Sequence, residues 1–519
     1  MHDLLHQFCR LTDGSAMSAD SIIQFLRWYA GERLSSRLID EHRRPPASLP
    51  ADLASGGLLG LRVGAEHGGQ GLSARDTARV LEQLGAIDGN VSLLTTVHNA
   101  VGVDPILAFA DQDTKDKVLP VLASTGALAG VAATEPEVGT NFQAMMSRAV
   151  RDGSDYVING TKSMISLGGW AKYINLTVRL DDSLTTFLVP TGTPGWVPVS
   201  EALTVGMRAV PQNHIEMRDM RLDADAVLGG VGNGAAVATH AFQAGRWMLA
   251  AGIVGTMKRC LQLATRYVSR RTVATGPLLS NGRIEQILSD CVASVEAVDA
   301  VTRLIYDGLD DGSVVDPTYY TVCKIISGEL SWSVIDTCVQ LMGWRGFLDS
   351  NPVTQNFRDY RVLRVFEGST DGISGYLGRS VLKNPGKLHT LLTKDFPAAD
   401  FLAPLWSVLE EASASFPSLS QQHQHRLAAR TANAVAWAVT AAALQKEGGE
   451  LRAHTFEWAT RSFSDAVHAM GRSHHEDASV VASAKLSEHI GSYEDQIGDI
   501  EQTYGGEIHT LDPLLQRPL

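Results

Sequence analysis

A mainly helical α+β fold, with a sheet domain set between helical domains, is predicted by three observations. Apolar residues recur every three or four positions before about residue 130, short β-rich runs fill 131–230, and long helical periods return from Gly234 onward. With 519 residues, 44% of them apolar, the chain is too long for one ordinary core. The expected division is a helical domain at 1–130, a β-domain at 131–230, a helical bundle at 231–385 and an additional helical extension at 386–519.

The elements justify this division in order. SARDTARVLEQLGAI (73–87) carries the helical period of the first domain. YVING (156–160), YINLTV (173–178) and TTFLVP (185–190) are strand-like runs punctuated by Gly, Asp and Pro. Residues 235–271 and 283–309 read as long helices with short links, the pattern of an antiparallel bundle. After KNPGK (383–387), Ala-rich helical sequence such as AARTANAVAWAVTAAAL (428–444) continues to near Tyr504, packing on the bundle or building an oligomer contact.

Charge and composition exclude some classes. A net charge of −13 disfavours nonspecific binding to nucleic acid or anionic membranes, which depends on Lys and Arg neutralising phosphates. No uninterrupted apolar run approaches the ~20 residues of a bilayer span, and MHDLLHQFCR lacks the order of a secretion signal; the expectation is a cytoplasmic protein. The cysteines, Cys9, Cys260, Cys291, Cys323 and Cys338, are odd in number and scattered, so buried reduced thiols are expected. The pairs His423 with His425 and His474 with His475 lack accompanying ligands and read as polar faces rather than metal sites.

Five strings, in order, carry a resemblance: GLLGLRVGAEHGGQGLS (57–73), TEPEVGTN (134–141), NGTKSMIS (159–166), QLMGWRGF (340–347) and RVFEGSTDG (364–372). Together they resemble the acyl-CoA dehydrogenase family, over about residues 53–385. The resemblance implies an α-helical N-terminal domain, a middle β-domain and a four-helix C-terminal bundle, with FAD between them and across a subunit boundary. It also implies a homodimer or homotetramer and an acyl thioester substrate, carried by CoA or an acyl-carrier protein. Electrons would pass to an electron-transferring flavoprotein.

Desaturation between Cα and Cβ needs a base for the α proton and an acceptor for the β hydride. By resemblance, Glu367 is that base. An N-terminal-turn glutamate favoured by the helix dipole is the competing reading. Its backbone N–H would bond the developing enolate oxygen, and Gly368 would permit close approach of the ligand. Thr134 would bond the flavin ring, Thr140 the pyrophosphate side, and Ser166 would approach flavin N5. Met164 stands where the family usually has a ring-stacking Trp.

Arg271 matches an arginine that reaches the pyrophosphate of a neighbouring subunit's FAD, which is the favoured reading; solvated helix-end cations are the alternative for Arg270 and Arg271. The following segment, RTVATGPLLSNGR (271–283), lacks the family's Phe and Gln. Gln340, Gly343 and Gly346 match the segment near the adenine half, with Trp344 in place of its second Gly. Ser369 and Asp371 occupy cofactor-proximal places. Arg246 matches an arginine near the catalytic centre, against a surface salt bridge as its alternative, and Gly245 stands where a minority branch carries its base. His98 and Asn99 belong to a helix lining the acyl side, with a satisfied core histidine as the favoured reading.

The sequence therefore predicts an FAD-dependent acyl-thioester dehydrogenase. A flavin monooxygenase or an acyl-CoA oxidase on the same fold, and a non-enzymatic carrier-docking subunit, are the alternatives. Retention of Glu367 counts against the monooxygenase.

Overall fold

The computed structural model describes residues 16–139, 141–472, 480–481 and 485–490. Of the predicted features, Cys9, Thr140, His474, His475 and Tyr504 lie outside the described residues. The chain divides into two units, Met1–Met470 and Gly471–Leu519. The second is described only in short pieces, including the helix Leu486–Ile490.

The first unit opens with helices α1 (Ala19–Glu32), α2 (Ser36–His42), α3 (Leu49–Ser55), α4 (Ala74–Ile87), α5 (Gly89–Thr96), α6 (Asp104–Phe109) and α7 (Gln112–Ser124). Ser18, Ser35, Ser73, Asp88 and Asp111 cap five of these by accepting a backbone N–H three residues on, which satisfies a donor that the helix itself leaves open. Between α5 and α6 the chain winds as a π-helix over Val97–Val103.

The sheet contains β1 (Ala129–Ala132), β2 (Arg148–Asp152), β3 (Asp155–Ser166), β4 (Tyr173–Leu180), β5 (Ser183–Pro190), β6 (Trp196–Ala202), β7 (Gln212–Leu222) and β8 (Val227–Leu228). Its order is β6-β7-β3-β2-β4-β5-β8, and β1 runs parallel to β4. The register of β3 against β7 slips between Lys162 and Ile165, where Met164 adopts φ +55°. This bulge turns the Met164 side chain out of the sheet.

Helices α8 (Gly234–Arg270), α9 (Gly282–Asp310), α10 (Pro317–Met342), α11 (Pro352–Tyr360) and α12 (Thr370–Lys383) follow, and a two-stranded hairpin, Thr272–Val273 with Gly276–Pro277, joins α8 to α9. Helices α4 and α8 meet at glycines: a Cβ on Gly85 would sit 1.9 Å from the Gly252 carbonyl oxygen. Beyond them lie α13 (Pro385–Asp395), α14 (Ala403–Ser415), α15 (Gln421–Glu447) and α16 (Glu450–Gly471). The extension packs on the bundle, for a Cβ on Gly378 of α12 would fall 1.8 Å from the Ala428 carbonyl oxygen of α15. Two stretches, Gly89–Phe109 and Gln421–Glu447, are long and apolar enough to cross a bilayer, and both are mostly buried, at 89% and 78%.

The end of α11 is tied firmly to the rest of the unit. Asp359 accepts the Met207 N–H at 2.5 Å and the Asn90 amide at 2.6 Å, and the Tyr360 hydroxyl meets Thr256 on α8. These anchors position the next loop, Arg361–Ser369.

Candidate active site

Glu367 sits in that loop, two residues before Ser369, the N-cap of α12. It is not in a helix's first turn, which removes the dipole reading, because Ser369 accepts the Gly372 N–H and the helix begins at Thr370. Its φ is +55° and that of Gly368 is +90°. A left-handed glutamate costs on the order of 1 kcal/mol, and such outliers gather at functional sites. The Glu367 N–H finds no hydrogen-bond acceptor among the described residues. Gly368 owes its lack of a Cβ to this turn and to Ile373, whose side chain would lie 2.5 Å from one.

The Glu367 carboxyl group points at α8. A Cβ on Gly245 would lie 2.4 Å from Oε1, so the missing side chain there makes room for the carboxylate. The residue as a whole is half-buried, yet Oε2 is sealed from solvent and has no hydrogen-bond partner. Burial pushes the acid up to about 7, with Lys324 and then Arg246 restraining the rise. A carboxylate that accepts no hydrogen bond and titrates near neutrality is suited to take a proton.

Arg246 makes no salt bridge among the described residues. Its guanidinium donates to the Glu367 carbonyl oxygen at 3.4 Å and to Thr321 Oγ1 at 3.3 Å, and burial lowers its proton affinity. Lys324, on α10 and only 4% exposed, donates to the Leu363 carbonyl and lies 5.3 Å from the centre of the Phe366 ring. Burial pushes this ammonium down to about 8, against the pull of Glu367. Sequence reasoning missed Lys324. Its signal was a lone lysine inside the apolar run TVCKIISG (321–328).

Thr134 and the β3 bulge form a second cluster. The Ser163 N–H donates to the Thr134 carbonyl at 2.9 Å, which joins the strings TEPEVGTN and NGTKSMIS. Glu135 anchors the turn from inside: it pairs with Lys162 at 2.9 Å and accepts the Met146 and Ser147 N–H groups. Met164 is 47% exposed, while Ser166 and Gln212 exchange hydrogen bonds at 3.0–3.2 Å.

A third cluster lies at the end of α8. A cleft of about 320 Å3 is lined by Arg266, Tyr267, Arg270, Arg271 and Arg345. Four guanidinium groups without a lining carboxylate fit a diphosphate. The cleft joins Arg271 to the 340–347 segment, although the hairpin between α8 and α9 departs from the family pattern in sequence. Gln340 is exposed at the end of α10, and Gly343 has φ +57°. Gly346 has an internal reason, since a Cβ there would stand 2.3 Å from the Val339 carbonyl oxygen. Trp344 points outward, 65% exposed, with the Arg345 guanidinium 4.7 Å from its ring centre.

Other predicted residues stand as follows in the fold. Ser369 is the N-cap described above, and Asp371 is exposed in the first turn of α12. His98 is fully buried, contacting the Leu59 carbonyl and accepting the Ala129 N–H, and burial pushes it down to about 4. Asn99 likewise bonds backbone groups of Leu58, Leu61 and Thr95. Cys260, Cys291, Cys323 and Cys338 are buried free thiols.

The helix–sheet–helix order and an unpartnered carboxyl group at a loop pressed on a long helix define a class, and comparison with known proteins gives its family. The models for the acyl-CoA dehydrogenase N-terminal, middle and C-terminal domains match residues 17–126, 130–220 and 232–382. The chain belongs to the acyl-CoA dehydrogenase family. It is 30% identical over 343 residues to the mitochondrial very long-chain specific acyl-CoA dehydrogenase of Bos taurus, covering 64% of this chain and 52% of that protein. The chain thus spans about half the length of that curated relative. It is 29% identical over 332 residues to cyclohex-1-ene-1-carbonyl-CoA dehydrogenase of Geobacter metallireducens, covering 63% and 87%. The fold is also that of an acyl-CoA dehydrogenase complexed with FAD from Bacillus anthracis, with TM-score 0.77, 19% identity and 87% of each chain covered.

Proposed function

We propose that the protein is a flavin-dependent dehydrogenase that converts an acyl thioester to its 2-enoyl form. The observation that carries this is the Glu367 carboxylate, whose Oε2 is buried without a hydrogen-bond partner and whose Oε1 fills the space left by Gly245.

The Glu367 carboxylate takes the α proton. An apolar acyl group beside it would exclude water and hold its proton affinity close to the working pH. The unpaired Glu367 N–H is available to the thioester oxygen as negative charge develops there. Arg246 fixes the carbonyl on the other side of the same residue and so holds the loop's orientation. Bound FAD supplies the acceptor for the β hydrogen with its electron pair. Thr134, Met164 and Ser166 would border its ring, and Arg271, with Arg345 across the cleft, would take a diphosphate. The thioester is carried by CoA or a carrier protein, electrons leave to an electron-transferring flavoprotein, and the enzyme works as a cytoplasmic homo-oligomer.

The test compares wild type with Glu367→Gln, mixed anaerobically with acyl-CoA and acyl-carrier thioesters. Wild type should be yellow and bleach with one carrier class; the variant should stay yellow. Bleaching of the variant at the wild-type rate sinks the assignment, and a wild type that takes up no flavin favours the carrier-docking subunit.

A further inference from the structure

Two buried cations flank Glu367, and neither hydrogen-bonds its carboxylate. Arg246 from α8 holds the Glu367 carbonyl, and Lys324 from α10 holds the Leu363 carbonyl. Both are thus tethered to the backbone of the loop that carries the base, one at each end of residues 363–367. Lys324 is confined further by the Phe366 ring.

We propose that Lys324 is a positioning residue for proton abstraction, acting through its fixed charge to keep the Glu367 carboxylate ionised and through its tether to hold the loop. This rests on the reading of Glu367 as the base. A direct hydrogen bond from Lys324 would stabilise the anion and weaken it as a base. A charge held on a neighbouring carbonyl neutralises the buried anion and leaves its lone pairs free.

The charged and titratable groups around the carboxylate come from three elements. Arg246 faces it from α8 and Lys324 from α10; Cys323 on α10 lies beside these two cations, and Glu329 on α10 is occupied by Arg364 of the loop at 2.8 Å. Burial pushes the Cys323 thiol up to about 12, so it stays neutral. Arg246 remains charged across the accessible pH range, which leaves Lys324 as the cation whose removal is read most directly.

The experiment follows the protonated-carboxyl infrared band of the flavin-containing protein without substrate, assigned by its absence in Glu367→Gln. Lys324→Gln keeps a donor for the Leu363 carbonyl and removes the charge. Its titration midpoint should rise by about one pH unit, which at neutral pH lowers the ionised fraction about fivefold. Lys324→Arg should restore the wild-type midpoint. A Lys324→Gln midpoint equal to wild type overturns the proposal.

Should Lys324→Gln fail to fold, the wild type itself decides. Besides the step of its own deprotonation near 8, the Lys324 Nζ resonance should step at the pH where Glu367 titrates, and that second step should vanish in Glu367→Gln; a wild-type resonance with the single step of its own deprotonation overturns the proposal. Because neither readout uses substrate, both stand apart from flavin bleaching, which tests the function.

Discussion

Glu135 and Glu367 each lie beside a buried lysine, and their surroundings drive them to opposite states. Glu135 touches Lys162 at 2.9 Å and accepts two backbone N–H groups, and these contacts outweigh burial and hold its acid below the usual range. Glu367 has Lys324 nearby but not bonded to it, keeps Oε2 without a partner, and is pushed up to about 7. Both lysines are themselves pushed down to about 8 by burial. The difference is where the ammonium donates: to the carboxylate in the first pair, to a backbone carbonyl in the second. One arrangement builds a turn, and the other leaves a carboxylate oxygen without a partner.

The largest expected effect is on the structural pair. Lys162→Met leaves Glu135 charged and buried, and should cost roughly 3–5 kcal/mol in a urea unfolding titration. A loss below about 1 kcal/mol would mean that the two N–H groups suffice for Glu135.

Next comes the space reserved for the base. Gly245→Ala places a methyl group 2.4 Å from Oε1 and must displace the carboxylate. Flavin reduction by substrate should slow by about 100-fold with the flavin content unchanged, as expected for a reacting group moved by about 1 Å.

Glu367→Gln should sharpen the contrast through stability. A carboxyl group whose folded value is raised binds more protons in the folded state, so its contribution is full below about 4.5 and is lost as pH rises through about 7. The variant should match wild type at low pH and exceed it by about 2 kcal/mol at alkaline pH, discounted from the full shift for the partly open site. Equal unfolding midpoints at both pH values would show that Glu367 is not raised.

Ser369→Ala removes the N-cap of α12 and should cost about 1 kcal/mol, read as a lowered Tm. Flavin binding should survive if Ser369 serves only as a cap; flavin loss would return it to the cofactor site.

Much of the fold was legible along the chain. The predicted helices at 235–271 and 283–309 are observed as Gly234–Arg270 and Gly282–Asp310, because period and caps are local properties. The three strand runs fall in β3, β4 and β5 for the same reason. Glu367, Gly245 and Arg246 were legible as members of motifs, and the structure brings all three together. Lys324 was not, since no motif includes it and its meaning depends on a loop 39 residues away. Gly346, Gly368 and Ser369 were read toward a ligand, whereas each has a packing or capping partner within the protein.

By itself, the sequence determined the order of helices and strands, which follows from periodicity, and the absence of a side chain at Gly245, which follows from residue type. Glu367 as the base is what the family resemblance implies. Only the tertiary structure decided that Arg246 and Lys324 donate to backbone carbonyls, that Oε2 is left without a partner, and that four arginines share one cleft. The physical reason is that burial and hydrogen-bond direction are set by elements distant in sequence, and these decide whether a buried glutamate is held as an anion or left able to take a proton.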